Sequence, residues 1–408
     1  MMNKNEWKKV KLKELIYKPI SGEWGKDYNT DNENTAYVIR TTNFTNNGSV
    51  DIFNKEVVKR EISLSKIKEK KLKMNDIIIE KSGGSPTQPV GRVVFFDIED
   101  DKNFLCNNFT SILRANEKIF PKYLFYNLRY LYQNKAVLKY QNKTTGIINL
   151  KLQNYIDDTN IFLPSLEEQK KICKILDYLF NILEMKKQQL SELDKLVKFQ
   201  FLKMFGDLET NSFSWNKTYL KSLTLLITKG ASPNWQGFSY VDNDNQTLFI
   251  TSENVRDRTL DLVKKKYVQN EFNFKQKKSI LKKGDFLINI VGASIGRVAQ
   301  YNLEYRANIN QAVALVRLKE NIINHTYLLF YLNSNKAMNM YNKMQVSVAR
   351  ANLSLKNIEE LEIILPPIEL QNKFSDFVKQ VDKSKVELQK SIDETQLLFD
   401  SLMDKYFG

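Results

Sequence analysis

The sequence predicts an α+β protein that is built twice, as two globular domains that are each followed by a long helix. A Leu-Pro-x-x-Glu-x-Gln segment occurs at residues 163–169 and again at residues 365–371, an offset of 202 (365 − 163). Both copies precede a long stretch of regularly spaced apolar residues, as an amphipathic helix requires. Before each copy, short apolar runs alternate with Gly, Pro and Asn, as strands and turns do.

The repeat extends along the whole chain. Residues 72–79 (LKMNDIII) match residues 281–288 (LKKGDFLI), and residues 149–154 (NLKLQN) match residues 352–357 (NLSLKN). The offset varies between 202 and 211 in the first part of each half but is constant over the final 44 residues, 163–206 and 365–408. We therefore predict four segments: a domain at 1–162, a helical segment at 163–206, a second domain at 207–364 and a second helical segment at 365–408.

Each helical segment carries a stripe of apolar residues at alternating steps of three and four, which is typical of a coiled coil. The stripes consist of Ile172, Leu176, Leu179, Leu183, Leu190, Leu193 and Val197, and of Phe374, Val378, Val381, Leu388, Ile392, Thr395 and Leu402. Lys186 and Lys385 interrupt them. Ser165 and Glu168 form a capping box before the first helix. The alternative is a pair of unrelated amphipathic helices that cover separate cores.

Within the globular segments, short apolar runs at residues 37–39, 77–79 and 93–96 predict strands. Residues 123–132 (YLFYNLRYLY) and 327–333 (YLLFYLN) predict one helix in each half. Each globular segment is therefore predicted to be an α+β domain of ordinary size.

The charge of the chain favours a polyanionic partner. The formal net charge is +15, and Lys and Arg bind phosphates with release of counterions. Residues 1–162 hold 27 Lys and Arg against 19 Asp and Glu, and residues 207–364 hold 21 against 14, so the excess lies in the globular domains. The alternative is a generally lysine-rich composition without a polyanionic partner.

The motifs of common enzymes are absent from the sequence. There is no phosphate-binding loop with a Lys-Ser/Thr end, no Asn-Pro-Pro-aromatic methyltransferase motif, and a single histidine, His325. Two unclustered cysteines, Cys106 and Cys173, exclude a disulfide scaffold and a zinc site. No apolar run is long enough to cross a bilayer. We expect a cytoplasmic, non-catalytic binding protein without a metal site and without a membrane partner.

Four features of the sequence are shared with a known family: the repeated helix starts, the KGASP segment (229–233), the GDFLINIVGASIGRVA segment (284–299) and NINQAVALVRL (308–318), which we interpret as a strand. In these features the chain resembles the DNA-specificity subunit of type I restriction-modification systems. The resemblance covers essentially the whole chain. It implies two α/β target-recognition domains that are separated by two long antiparallel helices in a coiled-coil-like pair. It also implies that each domain reads one half of a split double-stranded DNA target.

The resemblance further implies partners that supply the chemistry. Two methyltransferase subunits would bring S-adenosylmethionine, and restriction translocase subunits would bring ATP, so that this chain itself needs no cofactor. Because the repeats are of equal size, we expect half-sites on the order of one helical turn of DNA apart. The two domains differ at residues 21–24 (SGEW) against 229–232 (KGAS), so we expect them to read different half-sites.

Three loop segments in each domain offer side chains suited to base edges and phosphates. In the first domain the candidates are Arg40, Thr41, Thr42, Asn43, Lys81, Ser82, Ser85, Thr87, Gln88, Arg92, Lys143, Thr144 and Thr145. In the second domain they are Ser252, Asn254, Arg256, Ser294, Arg297, Arg350 and Asn352. We expect Arg40, Lys81, Arg92, Arg297 and Arg350 to contribute most to affinity. The alternative for each position is an ordinary polar turn.

Three other functions stay open at this point. The chain could be the specificity subunit of a related system in which one partner both methylates and cleaves. It could be a coiled-coil scaffold for other proteins, with incidental positive charge. It could also be a stand-alone nuclease or methyltransferase, although the motif this requires is missing from the sequence.

Overall fold

The computed structural model describes residues 7–30, 32–85, 87–144, 147–345 and 352–408. In the first half the strands are β1 (Lys8–Lys11), β2 (Ile20–Ser21), β3 (Lys26–Asp27), β4 (Thr35–Ile39), β5 (Val58–Glu61), β6 (Asp76–Glu80), β7 (Ser82–Gly84), β8 (Val93–Phe96), β9 (Phe104–Cys106), β10 (Thr110–Leu113), β11 (Gln141–Thr144), β12 (Ile147–Leu150) and β13 (Asn160–Leu163). The helices are α1 (Leu64–Lys70), α2 (Pro121–Gln133), α3 (Leu152–Asp158) and α4 (Leu166–Phe205).

The second half follows the same plan. Its strands are β14 (Asn216–Tyr219), β15 (Thr224–Lys229), β16 (Tyr240–Val241), β17 (Thr247–Ile250), β18 (Tyr267–Val268), β19 (Phe286–Asn289), β20 (Val298–Gln300), β21 (Ala307–Ile309), β22 (Val313–Leu318) and β23 (Glu362–Leu365). Its helices are α5 (Phe272–Lys275), α6 (His325–Leu332), α7 (Asn335–Met344), α8 (Leu355–Glu359) and α9 (Ile368–Phe407).

The chain forms two compact units, and each contains parts of both long helices. The N-terminal unit comprises Met1–Lys187 and Lys390–Gly408, and the C-terminal unit comprises Gln188–Gln389. Each unit therefore consists of one globular domain, the first part of the helix that follows this domain and the last part of the other long helix. The four predicted segments follow one another along the sequence, and each long helix lies within one segment. The boundaries of the compact units instead fall inside both long helices, so each helix contributes to both units.

The two four-stranded sheets of the first domain have the same topology as those of the second, and the first domain has a further three-stranded sheet, β11-β12-β7. The strand orders β2-β10-β6-β8 and β3-β5-β4-β9 in the first domain correspond to β15-β22-β19-β20 and β16-β18-β17-β21 in the second. The last pair of the second sheet is parallel in both domains, β4 with β9 and β17 with β21. The α+β repeat predicted from the sequence is therefore confirmed.

A buried ion pair recurs inside both domains. Arg114 donates from Nε to Asp76 Oδ1 and from Nη2 to Asp76 Oδ2, both at 2.7 Å. Arg317 donates in the same way to Asp285 at 2.8 and 2.7 Å. Both aspartates are buried. Bidentate arginine-carboxylate pairs of this kind are geometrically specific, which keeps the strand starts in the same place in both copies.

The buried glutamine explains why the helix start occurs twice. Gln169 accepts from the backbone N–H of Phe120 at 2.7 Å and donates to the Pro164 carbonyl at 2.9 Å. Gln371 accepts from the N–H of Asn324 at 2.9 Å and donates to the Pro366 carbonyl at 2.7 Å. Each glutamine joins the start of a long helix to the start of α2 or α6 in its own domain.

The predicted capping box is also present. The Ser165 N–H donates to Glu168 Oε2 at 3.2 Å, and the Glu168 N–H donates to Ser165 Oγ at 3.3 Å. These bonds satisfy two of the N–H groups that a helix start leaves without partners. The helix begins at Leu166, where the sequence predicted it.

The last part of α9 packs against α4 and α2 in the N-terminal unit. Lys186 Nζ donates to Ser391 Oγ at 2.8 Å and to Thr395 Oγ1 at 2.7 Å. The α2 residue Tyr126 contacts both long helices, because its hydroxyl donates to Asp177 at 2.5 Å and its ring lies 6.5 Å from the Phe399 ring. Positions earlier in α4 thus face positions later in α9, so the two segments are antiparallel.

The C-terminal unit contains the matching antiparallel pair. Lys385 Nζ lies 2.6 Å from Asp194 Oδ1, and the rings of Phe201 and Phe374 are 5.2 Å apart. All members of the two predicted stripes are buried or half-buried. The two lysines that interrupt the stripes are bonded to polar groups on the opposite helix. These contacts exclude two unrelated helices that cover separate cores.

One predicted strand is divided in the structure. Residues 308–318 do not form one strand, because a turn separates β21 from β22. The Asn310 side chain accepts from the Ala312 N–H at 3.1 Å, and the Val313 N–H donates to the Asn310 carbonyl at 3.2 Å. An asparagine that bonds to its own backbone two residues on favours such a turn over a continuous strand.

We predict that Gln169→Leu lowers the free energy of unfolding of the N-terminal unit by about 2 kcal/mol. The substitution leaves the Phe120 N–H and the Pro164 carbonyl without these partners in a buried place. Urea unfolding followed by circular dichroism measures the change. Gln153→Leu is the control, because this exposed side chain bonds, among the described residues, only to Asp157, and its effect should stay below about 0.5 kcal/mol. Equal stability of both variants would contradict the assigned role.

Candidate nucleic-acid interface

In the first domain the structure brings the three predicted loop segments together. Arg92 Nη2 donates to the Thr41 carbonyl at 3.0 Å, which joins the first segment to the second. Strand β7 of the second segment pairs with β12, and Ser82 Oγ donates to Asn149 Oδ1 of β12 at 2.5 Å. Strand β12 pairs in turn with β11, which holds the third segment. The three segments therefore form one continuous surface, although up to about a hundred residues separate them in the sequence.

In the second domain Asn289 joins the equivalent segments. Its Nδ2 donates to the Ser252 carbonyl at 2.9 Å and to Ser294 Oγ at 3.2 Å. A β-bridge pairs Val291 with Asn352, which adds the third segment. Ser252 and Ser294 are half-buried and Asn352 is exposed. Arg350 lies outside the described residues.

The two candidate asparagines are buried and have internal partners. Asn43 accepts from the Arg40 N–H at 3.0 Å and donates to the Asp51 carbonyl at 3.1 Å. Asn254 accepts from the Thr251 N–H at 2.9 Å and donates to the Asp261 carbonyl at 2.9 Å. Their side-chain amides hold the turns in shape and are not available to a ligand. We therefore do not propose that Asn43 and Asn254 contact DNA.

The two equivalent arginines have different surroundings. The Arg92 side chain is only 15% exposed, and its Nε lies 3.5 Å from Glu80 Oε2. Burial raises the pKa of the Glu80 carboxyl, and the Arg92 charge opposes this rise. In the second domain Asn289, the last residue of β19, stands where Glu80 ends β6. Within the described part of the chain the half-buried Arg297 guanidinium forms no hydrogen bond or ion pair.

The remaining cations of the site are held weakly. Arg40 donates to the Glu56 carbonyl at 3.2 Å and lies 3.8 Å from its carboxylate. Lys81 donates to Ser21 Oγ at 3.2 Å, and burial lowers the pKa of its ammonium group. Arg256 is exposed and lies 3.3 Å from Asp261. Surface ion pairs of this kind contribute little to stability, so these cations can exchange their partners for phosphate.

The small polar candidates lie in turns and strands. Ser85, Thr87 and Gln88 form a tight turn in which Ser85 Oγ and Thr87 Oγ1 are 3.1 Å apart and the Gln88 N–H donates to Ser85 Oγ at 3.0 Å. Thr42, Thr87 and Gln88 are exposed, and Thr41 is half-buried. Lys143 and Thr144 belong to β11, but their side chains and all of Thr145 lie outside the described residues.

Four buried polar atoms lack a hydrogen-bond partner within the described residues, and all four belong to these two clusters. They are Arg40 Nε, Glu80 Oε2, Arg92 Nε and Asn289 Oδ1. Buried polar atoms are nearly always paired in folded proteins, so unpaired ones require an explanation. Two of the atoms lie in the predicted loops, and the other two, on Glu80 and Asn289, lie at the ends of the strands that lead into those loops. This is the feature expected of a surface whose polar groups bond to a ligand.

The sequence reasoning missed Glu80 and Asn289. The match between residues 72–79 and 281–288 ends one residue before them. Each is the polar residue at the end of a run of buried apolar residues that follows a buried aspartate (DIIIE, residues 76–80, and DFLIN, residues 285–289). The sequence signal that could have identified both residues is a polar residue at the end of a run of apolar residues.

Within the described residues, no helix combines the length and the apolar composition that crossing a bilayer requires.

The fold and the site define a duplicated α+β protein with two basic loop clusters and an antiparallel helical pair in each unit. The family model described as "Type I restriction modification DNA specificity domain" matches residues 4–195 and 234–395. The chain belongs to this family and is a specificity subunit of the type I restriction-modification class.

Characterised relatives agree with this placement. The chain is 23% identical over 397 residues to the type I restriction enzyme MjaVIII specificity subunit of Methanocaldococcus jannaschii, covering 92% of this chain and 86% of that protein. It is 27% identical over 281 residues to the EcoBI specificity subunit of Escherichia coli, covering 63% of this chain. The matched region spans 59% of the length of the Escherichia coli relative.

Solved structures share the fold. The crystal structure of the type I restriction-modification S subunit from M. genitalium aligns with a TM-score of 0.55 at 18% identity, over 100% of this chain and 98% of that one. A chain from a solved type I R-M system aligns with a TM-score of 0.58 at 18% identity, over 98% and 97%.

We predict that Arg297→Ala and Arg92→Ala have different effects. Arg297→Ala should weaken binding to duplex DNA and reduce the slope of log K against log salt by about 1. It should have little effect on folding, because its guanidinium forms no hydrogen bond or ion pair with the residues that the structure describes. Arg92→Ala should also lower the stability of the first domain, because it leaves Glu80 and the Thr41 carbonyl without this partner. Salt titrations and thermal unfolding of both variants measure this. Unchanged affinity and salt slope in both would refute the assignment as contacts.

Proposed function

We propose that this chain recognises a bipartite double-stranded DNA target, with one half-site read by each domain, and directs methyltransferase and restriction subunits to it. The observation that carries the proposal is that the buried polar atoms without a hydrogen bond among the described residues lie in the two equivalent loop clusters. Two of them, Arg92 Nε and Glu80 Oε2, form an ion pair at 3.5 Å but no hydrogen bond. A DNA base edge offers hydrogen-bond donors and acceptors in fixed positions and can supply the hydrogen bonds that these atoms lack.

The differences between the clusters support two different half-sites. Arg40 stands where the second domain has Thr251, because each precedes the turn that Asn43 or Asn254 holds. Glu80 stands where the second domain has Asn289. The first domain thus has a charged donor, Arg40, and a charged acceptor, Glu80, where the second domain has neutral groups. These different groups would select different base edges.

The charge of the domains supports contact with the DNA backbone. Each domain carries a net positive charge, and Arg256 and Arg297 lie on the loop clusters with exposed or unpaired guanidinium groups. Phosphate contacts would supply orientation and salt-dependent affinity, while the small polar side chains of the turns would supply selectivity.

Exposed apolar side chains on the long helices support docking of partner subunits. Tyr178 and Met185 are exposed on the first part of α4, and Phe199 and Leu202 are exposed on its last part. On α9, Leu397 is exposed as well. Because every part of the repeat occurs twice, we propose two methyltransferase docking sites. S-adenosylmethionine and ATP would be bound by the methyltransferase and restriction translocase subunits, and this chain would be non-catalytic.

The proposal is tested by sequencing genomic DNA for methylated adenine in host cells with the gene, without it, and with variants of one domain. Deletion should abolish methylation of one motif made of two short half-sites around a fixed gap. Replacement of Arg297, Ser294 and Ser252 by alanine should degrade one half-site only, because these residues belong to one domain. The matched change in the first domain is Thr41, Thr42 and Gln88 to alanine, and it should degrade the other half.

Three results would overturn the proposal. A methylome that is unchanged by deletion, in cells where the chain copurifies with no methyltransferase, would remove the recognition role. Incorporation of labelled methyl groups by the purified chain alone would show that the chain is catalytic. Binding of proteins but not of DNA by the purified chain would favour a scaffold instead.

A further inference from the structure

Two equivalent loops each carry an exposed apolar residue at the tip. Phe53 is 90% exposed and Val263 is 91% exposed, and both lie among the most exposed large apolar side chains of the described residues. Each follows an aspartate by two residues. Asp51 Oδ1 accepts from the Phe53 N–H at 3.1 Å, and Asp261 Oδ1 accepts from the Val263 N–H at 3.1 Å.

The loops are fastened to the turns of the candidate interface. In the first domain Asn43 Nδ2 donates to the carbonyls of Asp51 and Glu56, both at 3.1 Å. In the second domain Asn254 Nδ2 donates to the carbonyls of Asp261 and Lys264 at 2.9 and 3.3 Å. The buried asparagine therefore holds the beginning and the end of each loop, and the apolar residue projects between them.

A single exposed apolar residue is common and by itself indicates nothing. Here the same exposed position occurs in both domains, with the same aspartate bond and the same asparagine support, although the two sequences (DIFNKE and DLVKKK) differ. The fold gains no burial from either side chain. A loop that is held in shape by several bonds while its apolar tip stays in water is arranged for contact with something outside the chain.

The charges beside the Val263 tip favour DNA over a protein partner. Lys264, Lys265 and Lys266 follow Val263 directly, and only Lys266 of these is paired with a carboxylate, that of Glu253 at 2.8 Å. The Phe53 loop is less basic, because Lys55 donates to the Phe44 carbonyl at 3.2 Å and Asp51 and Glu56 flank it. An apolar side chain among cations matches apolar base surfaces, such as thymine methyl groups and base faces, that are flanked by phosphates. Apolar side chains that contact or separate base steps are a known means of recognition.

We propose that Phe53 and Val263 are specificity-determining contacts that place an apolar side chain against bases of the half-site that their own domain reads. This inference rests on the proposed function. The asparagines would act as positioning residues for these tips, while Lys264 and Lys265 would hold the phosphates beside the Val263 tip.

The test measures binding of the full-length chain to two labelled duplexes by fluorescence anisotropy at several salt concentrations. One duplex carries the methylated motif found in host DNA, and the other carries the same bases in scrambled order. Phe53→Ala should weaken binding to the motif about tenfold, as expected for the loss of one specific contact with duplex DNA. The salt slope should not change, because no phosphate contact is lost. Phe53→Leu should retain most of the affinity, and Val263→Ala should cause a smaller loss.

Two control variants distinguish a base contact from a phosphate contact and from a protein-docking surface. Lys264→Ala should reduce the salt slope, since it removes a cation beside the Val263 tip. Tyr178→Ala, on the exposed face of α4, should weaken copurification of a methyltransferase and leave DNA affinity unchanged. Thermal unfolding of Phe53→Ala should match the wild type, because this side chain makes no buried contact.

The outcomes are distinguishable. If the wild type does not prefer the motif to the scrambled duplex, the proposed function fails and the inference fails with it. If the wild type prefers the motif and Phe53→Ala and Val263→Ala bind it equally well, only the inference fails. Loss of partner copurification by Phe53→Ala with intact DNA affinity would overturn the inference in favour of a protein-docking tip.

Discussion

The buried glutamine at each helix start is the interaction on which the rest of the structure depends. Gln169 and Gln371 each connect the first turn of a long helix to the first turn of a helix inside the preceding domain. The connection sets the direction in which the long helix leaves its domain. Without it, the antiparallel contacts that each unit forms along its helical segments would have no defined starting point. A buried amide with both of its polar atoms bonded suits this role, because either broken bond leaves a buried polar group unpaired.

The two copies keep their internal bonds and vary their loops. The arginine-aspartate pairs and the buried asparagines that hold the turns are the same in both domains. Both domains also have a glycine, Gly22 or Gly230, where a Cβ would collide with a backbone carbonyl. At the loop clusters the copies differ, as Arg92 with Glu80 and Arg297 with Asn289 show. This division lets one scaffold present two different surfaces, because the residues that hold the scaffold are not the residues that face the ligand.

The electrostatics of the clusters follow from this division. Arg92 directs its guanidinium to an internal carbonyl and a carboxylate, whereas Arg297 keeps its guanidinium unpaired within the described residues. Two arginines at equivalent positions can thus serve different purposes, one mainly in holding loops together and the other in meeting an anion. Exposed pairs such as Arg256 with Asp261 lie between these cases, since water screens them and phosphate can compete for the cation.

The sequence by itself determined the repeat, the two long helices, their stripes, the capping box and the family, because these depend on residues that are three or four positions apart or on identity between the halves. The sequence also indicated three loop segments in each domain as candidate contacts. Only the tertiary structure decided which loop residues are free. Asn43 and Asn254 resemble contacts in sequence but are buried, because their carbonyl partners lie in the next loop. Arg92 bonds to Thr41 across 51 residues. The roles of Glu80 and Asn289 likewise depend on partners that only folding brings near, and no local pattern specifies such pairs.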